Sequence, residues 1–337
     1  MKGIRTALVC LTGALASLPA RADVVLTASA WVSPTHALSL TQAKWCDDVA
    51  KATVGRVKCT ILPKPVAAPP GTFDAIRDGL ADISYGVHGY TPGRFTLSQL
   101  TELPFGGGGS GEAASVAYQR VFDRHLAKAN EHKGVKLLAV FNHGPGAMFN
   151  TKRPIQTVAD MQGLKFRVGG GMVNEIGKAL GINVTLKPAP ESYELLSTGV
   201  MDGVLFPAES IESFKLDKII RHRTDFPGGL YNTSFFFAMN EDAWARIPKA
   251  DQDIIAKLCG EPLARSFGHA WDQADKSANT AMVAAGVKVL AAPKALIDDI
   301  RAKTSGLEQK WIADAKAKGL ANPDQVLKDY RAEVAKP

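Results

Sequence analysis

Arg167, followed by Gly169, Gly170 and Gly171, is where residue types and spacing point most directly at a chemistry. The segment 159–171 reads as a short helix, a turn at Gly163, a strand over 165–168 and a glycine loop opening a helix over 172–180. That places a guanidinium at the carboxyl end of a strand beside a helix N-terminus, where open α/β sheets receive their ligands. A guanidinium offers a carboxylate a bidentate fork. The free N–H groups of Gly170, Gly171 and the first helical turn favour the same negative charge. The competing reading of Arg167 is an arginine paired with a surface acid.

Reactive constellations are absent. Gly169 and Gly171 give G-x-G, but Asn174 stands at the third glycine of the dinucleotide fingerprint, and no glycine run leads into GK[ST]. There is no HExxH, and Gly108-x-Ser110-x-Glu112 fails the nucleophile-elbow pattern. The seven histidines lack metal-ligand spacing. No pair of carboxylates stands out as acid and base. Neither a metal nor a cofactor is expected, and binding without turnover is the first expectation.

The amino terminus reads as an export signal: basic Lys2 and Arg5, an apolar run over 7–18, and Ala20-Arg21-Ala22 as a small-x-small cleavage site. The run is too short to span a bilayer. Cleavage after Ala22 leaves a periplasmic chain starting at Asp23. It removes Lys2, Arg5 and Arg21, so the formal charge falls by three from +7 to +4. Without a basic block or stripe, nucleic acid is not an expected partner, and no later stretch has membrane length. Cys10 leaves with the signal. Cys46, on the first helix, and Cys59, on the next strand, could close a disulfide if their Cα atoms come within about 7 Å. Cys259 reads as a buried thiol.

The elements that must position Arg167 are those of an α/β protein. Strands over 24–30, 56–62 and 81–86 alternate with helices over 35–51, capped by Thr35, and 73–78. A helix over 111–133, a strand over 135–141 and a linker over 142–146 follow, and then the pattern restarts. Strands over 165–168, 183–186 and 200–205 alternate with helices over 172–180 and 193–198. A strand over 235–240 precedes helices over 249–285, 294–304, 307–318 and 324–335. Ile76-Arg77-Asp78-Gly79-Leu80-Ala81-Asp82 and Leu196-Ser197-Thr198-Gly199-Val200-Met201-Asp202 share one layout: short helix, C-cap glycine, then Asp before a strand. Two copies in matching places predict two similar lobes, 23–145 plus 232–272 and 146–231 plus 273–337, crossed by the long helix.

Four segments carry a family resemblance: 157–168 (TVADMQGLKFRV), 195–203 (LLSTGVMDG), 150–155 (NTKRPI) and 240–248 (N-E-x-x-W-x-x-I-P). The chain resembles the periplasmic solute-binding proteins of tripartite ATP-independent (TRAP) transporters, of the C4-dicarboxylate-binding type, along nearly its whole mature length. The resemblance implies a hinged two-lobed fold that closes on an organic acid, Arg167 gripping the carboxylate, and membrane permease subunits as partners. It also marks departures. Sugar-acid-binding members carry a second arginine near the position of Ala147 and an asparagine where this chain has Phe206. An aromatic ring replacing two polar contacts favours a monocarboxylate with an aromatic or apolar body. A C4-dicarboxylate or small oxo- or hydroxy-acid is the runner-up, and a secreted enzyme or sensor subunit is the reading from a different class. Candidate ligand contacts, besides Arg167 and Phe206, are Trp31, His36, Tyr85, His88, Phe105, Asn150, Glu209, Asn232 and Phe235, with Tyr231 as a further wall residue. Each lies at a strand end or in an adjoining loop.

Overall fold

The structure, a computed structural model, describes residues 23–336. The expected export signal over residues 1–22, its cleavage site and Cys10 lie outside the described residues.

Short β-branched and aromatic segments build two sheets. The first uses β1 (Val24–Ala28), β2 (Val57–Ile61), β3 (Ile83–Val87) and β4 (Val135–Asn142). The second uses β5 (Ala147–Asn150), β6 (Lys165–Val168), β7 (Asn183–Leu186), β8 (Gly203–Phe206) and β9 (His222–Asp225). The chain then returns to the first sheet as β10 (Ser234–Asn240) and to the second as β11 (Lys288–Ala291). β10, Ser-Phe-Phe-Phe-Ala-Met-Asn, is buried at every position, as an inner strand covered on both faces must be.

The sheet orders are β2-β1-β3-β10-β4 and β11-β9-β5-β8-β6-β7. Read from its β7 edge, the second sheet repeats the first. In each, two parallel pairings around the first strand are followed by an antiparallel strand from elsewhere in the chain, β10 or β5. The repeated Gly-x-x-Asp segments have a common physical role. Gly79 and Gly199 take left-handed φ of 75° and 72°, the conformation a helix-ending glycine supplies without a Cβ clash. Asp82 Oδ2 accepts the Thr27 N–H at 2.7 Å, and Asp202 Oδ2 accepts the Lys165 N–H at 3.0 Å. Each carboxylate thus satisfies a backbone donor of the neighbouring parallel strand, one residue before that strand's first pairing with β3 or β8. Even the backbone carbonyls match: Asp82 O accepts from Asn240 N and Asp202 O from Thr151 N.

Each sheet with its helices forms one lobe. The chain crosses between them at 143–146 and 226–233, and these segments pair through Gly146 N to Tyr231 O (2.9 Å) and Leu230 N to Gly146 O (2.8 Å). Helix Glu261–Ala284 packs on helices Ala37–Ala52 and Gly111–Val121 of the first lobe and on Ala208–Ser213 of the second. The Cys46–Cys59 disulfide is formed, with Cα atoms 5.6 Å apart, and pins the first helix to β2.

Several elements differ from expectation. The helix over 249–285 is two helices, Lys249–Ala256 and Glu261–Ala284. Gly260, at φ 64°, sends its N–H to Leu138 O, and Pro262 is the second residue of the second helix, in the first turn, where the missing proline donor has no intrahelical partner to lose. The helix over 111–133 is α-helical only through Val121; a wide turn and a tight turn follow, ending at Asn130 in the left-handed region. His36, not Thr35, caps the first helix, its Nδ1 accepting the Leu38 N–H at 3.1 Å. β5, β9 and β11 were not foreseen; β5 begins directly after the expected linker.

Candidate functional site

Arg167 is the third residue of β6 and is 1% exposed. Its Nε donates to Lys187 O at 2.8 Å and its Nη2 to the Tyr90 hydroxyl at 3.3 Å. The guanidinium lies over the Phe206 ring, 4.4 Å from its centre, a cation–π contact. Among the described residues no carboxylate forms an ion pair with Arg167, and no hydrogen bond engages Nη1. Burial pushes its pKa down, and the tyrosine hydroxyls nearby oppose this. A buried cation without a counter-charge is costly. A ligand in the cavity that Arg167 lines can bring the compensating charge.

Arg167 faces a cavity between the lobes. Trp31, Tyr90, Phe206, Phe214, Tyr231, Phe235 and Trp271 supply aromatic wall, while Leu38, Val87, Ala189 and Leu205 fill the gaps. Trp31 presents its ring because its Nε1 is spent on Tyr85 O, at 2.8 Å. The Tyr90 oxygen accepts from both Ala189 N (2.8 Å) and Arg167, which leaves its own proton for an anion beside Arg167. Ala147 is the cross-strand partner of Phe206, so the two positions without the expected polar residues adjoin, and the small side chain sits next to the large ring.

The lobes meet around this cavity. Gly89 approaches so closely that a Cβ there would lie 2.8 Å from Gly170 C and Gly171 N. Glu102, 1% exposed, accepts from Met172 N at 2.9 Å through Oε2 and from Ser234 N and Oγ at 2.9 and 2.7 Å through Oε1. This corrects the expectation that the first helical turn after Gly171 is free for a ligand anion: a carboxylate from the other lobe already occupies it. Burial raises the Glu102 pKa, against the pull of those three donors.

A second polar cluster runs from the wall residue His36 to groups behind it. His36 Nε2 is 3.2 Å from Glu209 Oε1; because Nδ1 already accepts the Leu38 N–H, the imidazole proton sits on Nε2 and is donated to Glu209. Burial lowers His36 to about 3 and raises Glu209 to about 7. Asp275, also raised to about 7 by burial, accepts the Glu209 N–H at 2.7 Å.

Of the residues singled out in the sequence, Arg167, Phe206, Trp31, His36, Phe235 and Tyr231 line the cavity. The others lie elsewhere. Tyr85 is behind Trp31, its hydroxyl 3.0 Å from Ser39 Oγ. His88 sits in an aromatic core with Phe95, His132 and Phe236, its Nδ1 3.0 Å from Ser234 Oγ. Asn150 Oδ1 accepts from Lys152 N and Arg153 N to hold a turn. Asn232 Nδ2 donates to His143 O and Gly144 O, bracing the crossing segment. Phe105 stacks under the Arg301 guanidinium at 4.3 Å. Glu209 reaches the cavity only through His36 and Ser210, whose hydroxyl donates to it at 3.1 Å. Tyr90, His143, Phe214, Thr233 and Trp271 were missed as lining residues. Tyr90 ends the short turn His88–Tyr90 after β3, and nothing local distinguishes it from core. Among the described residues no group of His, Cys, Asp and Glu could hold a metal ion, and no helix is long and apolar enough to cross a membrane.

The geometry has parallels in known proteins. A curated relative, the outer membrane transporter protein TsaT of Comamonas testosteroni, is 29% identical over 331 residues, covering 97% of each chain. A TRAP periplasmic solute-binding protein of Bordetella bronchiseptica, solved with bound (R)- and (S)-mandelate, is 48% identical with a TM-score of 0.90, covering 93% of this chain and 99% of that one. A marine metagenome TRAP solute-binding protein specific for aromatic acid ligands, solved with metahydroxyphenylacetate, is 31% identical with a TM-score of 0.86, covering 93% and 99%. The family described as bacterial extracellular solute-binding protein, family 7 (DctP), matches residues 28–314. A match over that span, on two lobes that enclose one buried arginine, makes this chain a member of that solute-binding family.

Proposed function

We propose that the protein captures an aromatic monocarboxylate of arylacetate or benzoate size between its lobes and delivers it to TRAP membrane permease subunits, without transforming it. The observation that carries this is Arg167: a buried guanidinium with no ion-pair partner among the described residues, facing a cavity walled by aromatic rings. One carboxylate matches the one cation there. The two histidines of the wall, His36 and His143, are held neutral by burial, at about 3 and about 4. A second carboxylate, as in a C4-dicarboxylate, would therefore face rings rather than a charge. The ligands of the two solved relatives, mandelate and metahydroxyphenylacetate, agree with this choice. Export through cleavage after Ala22 belongs to the same reading, since a permease feeder works outside the cytoplasm.

In this reading the lobes move about the crossings at 143–146 and 226–233. We keep the expected bounds of the lobes, 23–145 plus 232–272 and 146–231 plus 273–337, except for the last helix. Helix Pro323–Val334 travels with the first lobe, because it packs on helix Gly111–Val121 and Glu333 pairs with Arg120 and Arg124. A thermal-shift screen of organic acids tests the function. A ligand of the folded state adds RT ln(1 + [L]/Kd), about 2.7 kcal/mol at a hundredfold excess over Kd. Arylcarboxylates should raise the midpoint; a screen in which they do nothing while sugar acids do would reject the proposal.

A further inference from the structure

His143 lies on the crossing segment after β4 and reaches the cavity wall between Tyr231 and Trp271, with ring centres 5.5 and 5.9 Å away. Its Nδ1 is 2.5 Å from Gly144 O. A carbonyl oxygen has no proton to give, so Nδ1 carries the hydrogen and donates it. Asn232 Nδ2, donating to His143 O at 2.8 Å and Gly144 O at 3.1 Å, fixes the backbone that holds this arrangement. The ring is neutral: burial lowers it to about 4, and the charge of Arg167 pushes the same way. Nε2 is then a bare lone pair, and no donor among the described residues meets it. An acceptor with no donor in a buried wall is costly unless the ligand brings one.

The other polar atoms of the wall are not obligate acceptors: the Trp271 Nε1–H, which meets no acceptor among the described residues, is a donor only, and the Tyr231 hydroxyl can donate or accept. The Tyr90 hydroxyl proton and the Arg167 guanidinium are donors directed at the carboxylate. The Thr233 hydroxyl can donate or accept and so distinguishes neither. His143 is the group that asks for a donor.

We infer that His143 sets specificity within the cavity, its Nε2 accepting a hydrogen bond from a hydroxyl on the carbon next to the ligand carboxylate, so that 2-hydroxy aryl acids are preferred over 2-oxo aryl acids. This rests on the aromatic-monocarboxylate reading. The two acids share ring and carboxylate. A 2-oxo group brings only lone pairs, which oppose those of Nε2, whereas a hydroxyl brings the missing proton. An unsubstituted arylacetate brings neither and falls between.

The test is titration calorimetry of the mature protein with mandelate, phenylacetate and phenylglyoxylate, repeated on His143→Phe. For the wild type the expected order is mandelate tightest and phenylglyoxylate weakest, with at least a tenfold span. In His143→Phe the loss of mandelate affinity should exceed the loss for phenylacetate at least tenfold. Phenylglyoxylate binding as tightly as mandelate to the wild type overturns the inference, and that arm stands even if the variant does not fold. An unchanged mandelate-to-phenylacetate ratio in a folded variant also overturns it. If all three acids bind without discrimination, only the role of His143 fails; if none binds, the aromatic-acid reading fails with it.

Discussion

At the scale of single residues, the account turns on charges kept out of water. Arg167 carries its charge in a wall of rings, with Lys187 O, Tyr90 and Phe206 as its only described partners. Removing one member of a buried ion pair costs about 3–5 kcal/mol. Arg167→Met should therefore lower arylcarboxylate affinity by about two to four orders of magnitude, read by titration calorimetry. The same change should raise the thermal midpoint of the ligand-free protein, since it deletes an uncompensated buried cation. Wild-type affinity in that variant would sink the assignment. Glu209 makes a pH-dependent case. Its folded pKa, about 7, lies above its ordinary 4.5, so its contribution is fully present below about pH 4.5 and is lost as the pH rises through 7. Glutamine cannot ionise and still accepts from His36. The midpoint of Glu209→Gln relative to wild type should thus be more favourable at pH 8 than at pH 4; an equal or reversed difference in differential scanning calorimetry would refute the burial argument.

Among the elements, the contact of Gly89 with the loop at Gly170 and Gly171 decides whether the lobes can meet. A methyl group placed 2.8 Å from that backbone should cost about 1–3 kcal/mol of closure, about 5- to 150-fold in affinity. Small-angle scattering checks it directly: the wild type should contract on binding mandelate, that contraction should shrink in Gly89→Ala, and an undiminished contraction would exclude this contact as the limit on closure. The element scale also shows what was readable. The strand of Arg167, its glycine loop and the paired Gly-x-x-Asp segments carry local signals, and so both lobes were foreseen. β5, β9 and β11 were not, because four-residue strands such as Ala147–Asn150 and His222–Asp225 are too short for alternation to show. The break before Glu261 was marked by Gly260 and Pro262 but was outweighed by apolar periodicity on both sides. Glu102 could not have been read as the partner of Met172, since seventy residues separate them. For the same reason the wall was only half legible. Trp31 and Phe206 sit at strand ends, whereas Phe214 and Trp271 lie at the end of one helix and within another and look like core until the lobes are brought together.

For the whole molecule, two sheets of matching strand order are joined by two paired crossings and one long helix, and the aromatic cavity lies where they face each other. Neither lobe alone encloses a ligand: Arg167 and Phe206 come from the second, Trp31, His36 and Phe235 from the first. In the proposed reading recognition and closure are therefore one event, which suits a carrier that must present a loaded and an unloaded shape to its permease. The central claim is that this shape closes on one carboxylate and one aromatic body. Competition calorimetry tests it most directly: the protein is saturated with mandelate and titrated with succinate or sialic acid at equal concentration. The account predicts that mandelate stays bound against both, and displacement by either acid would contradict it.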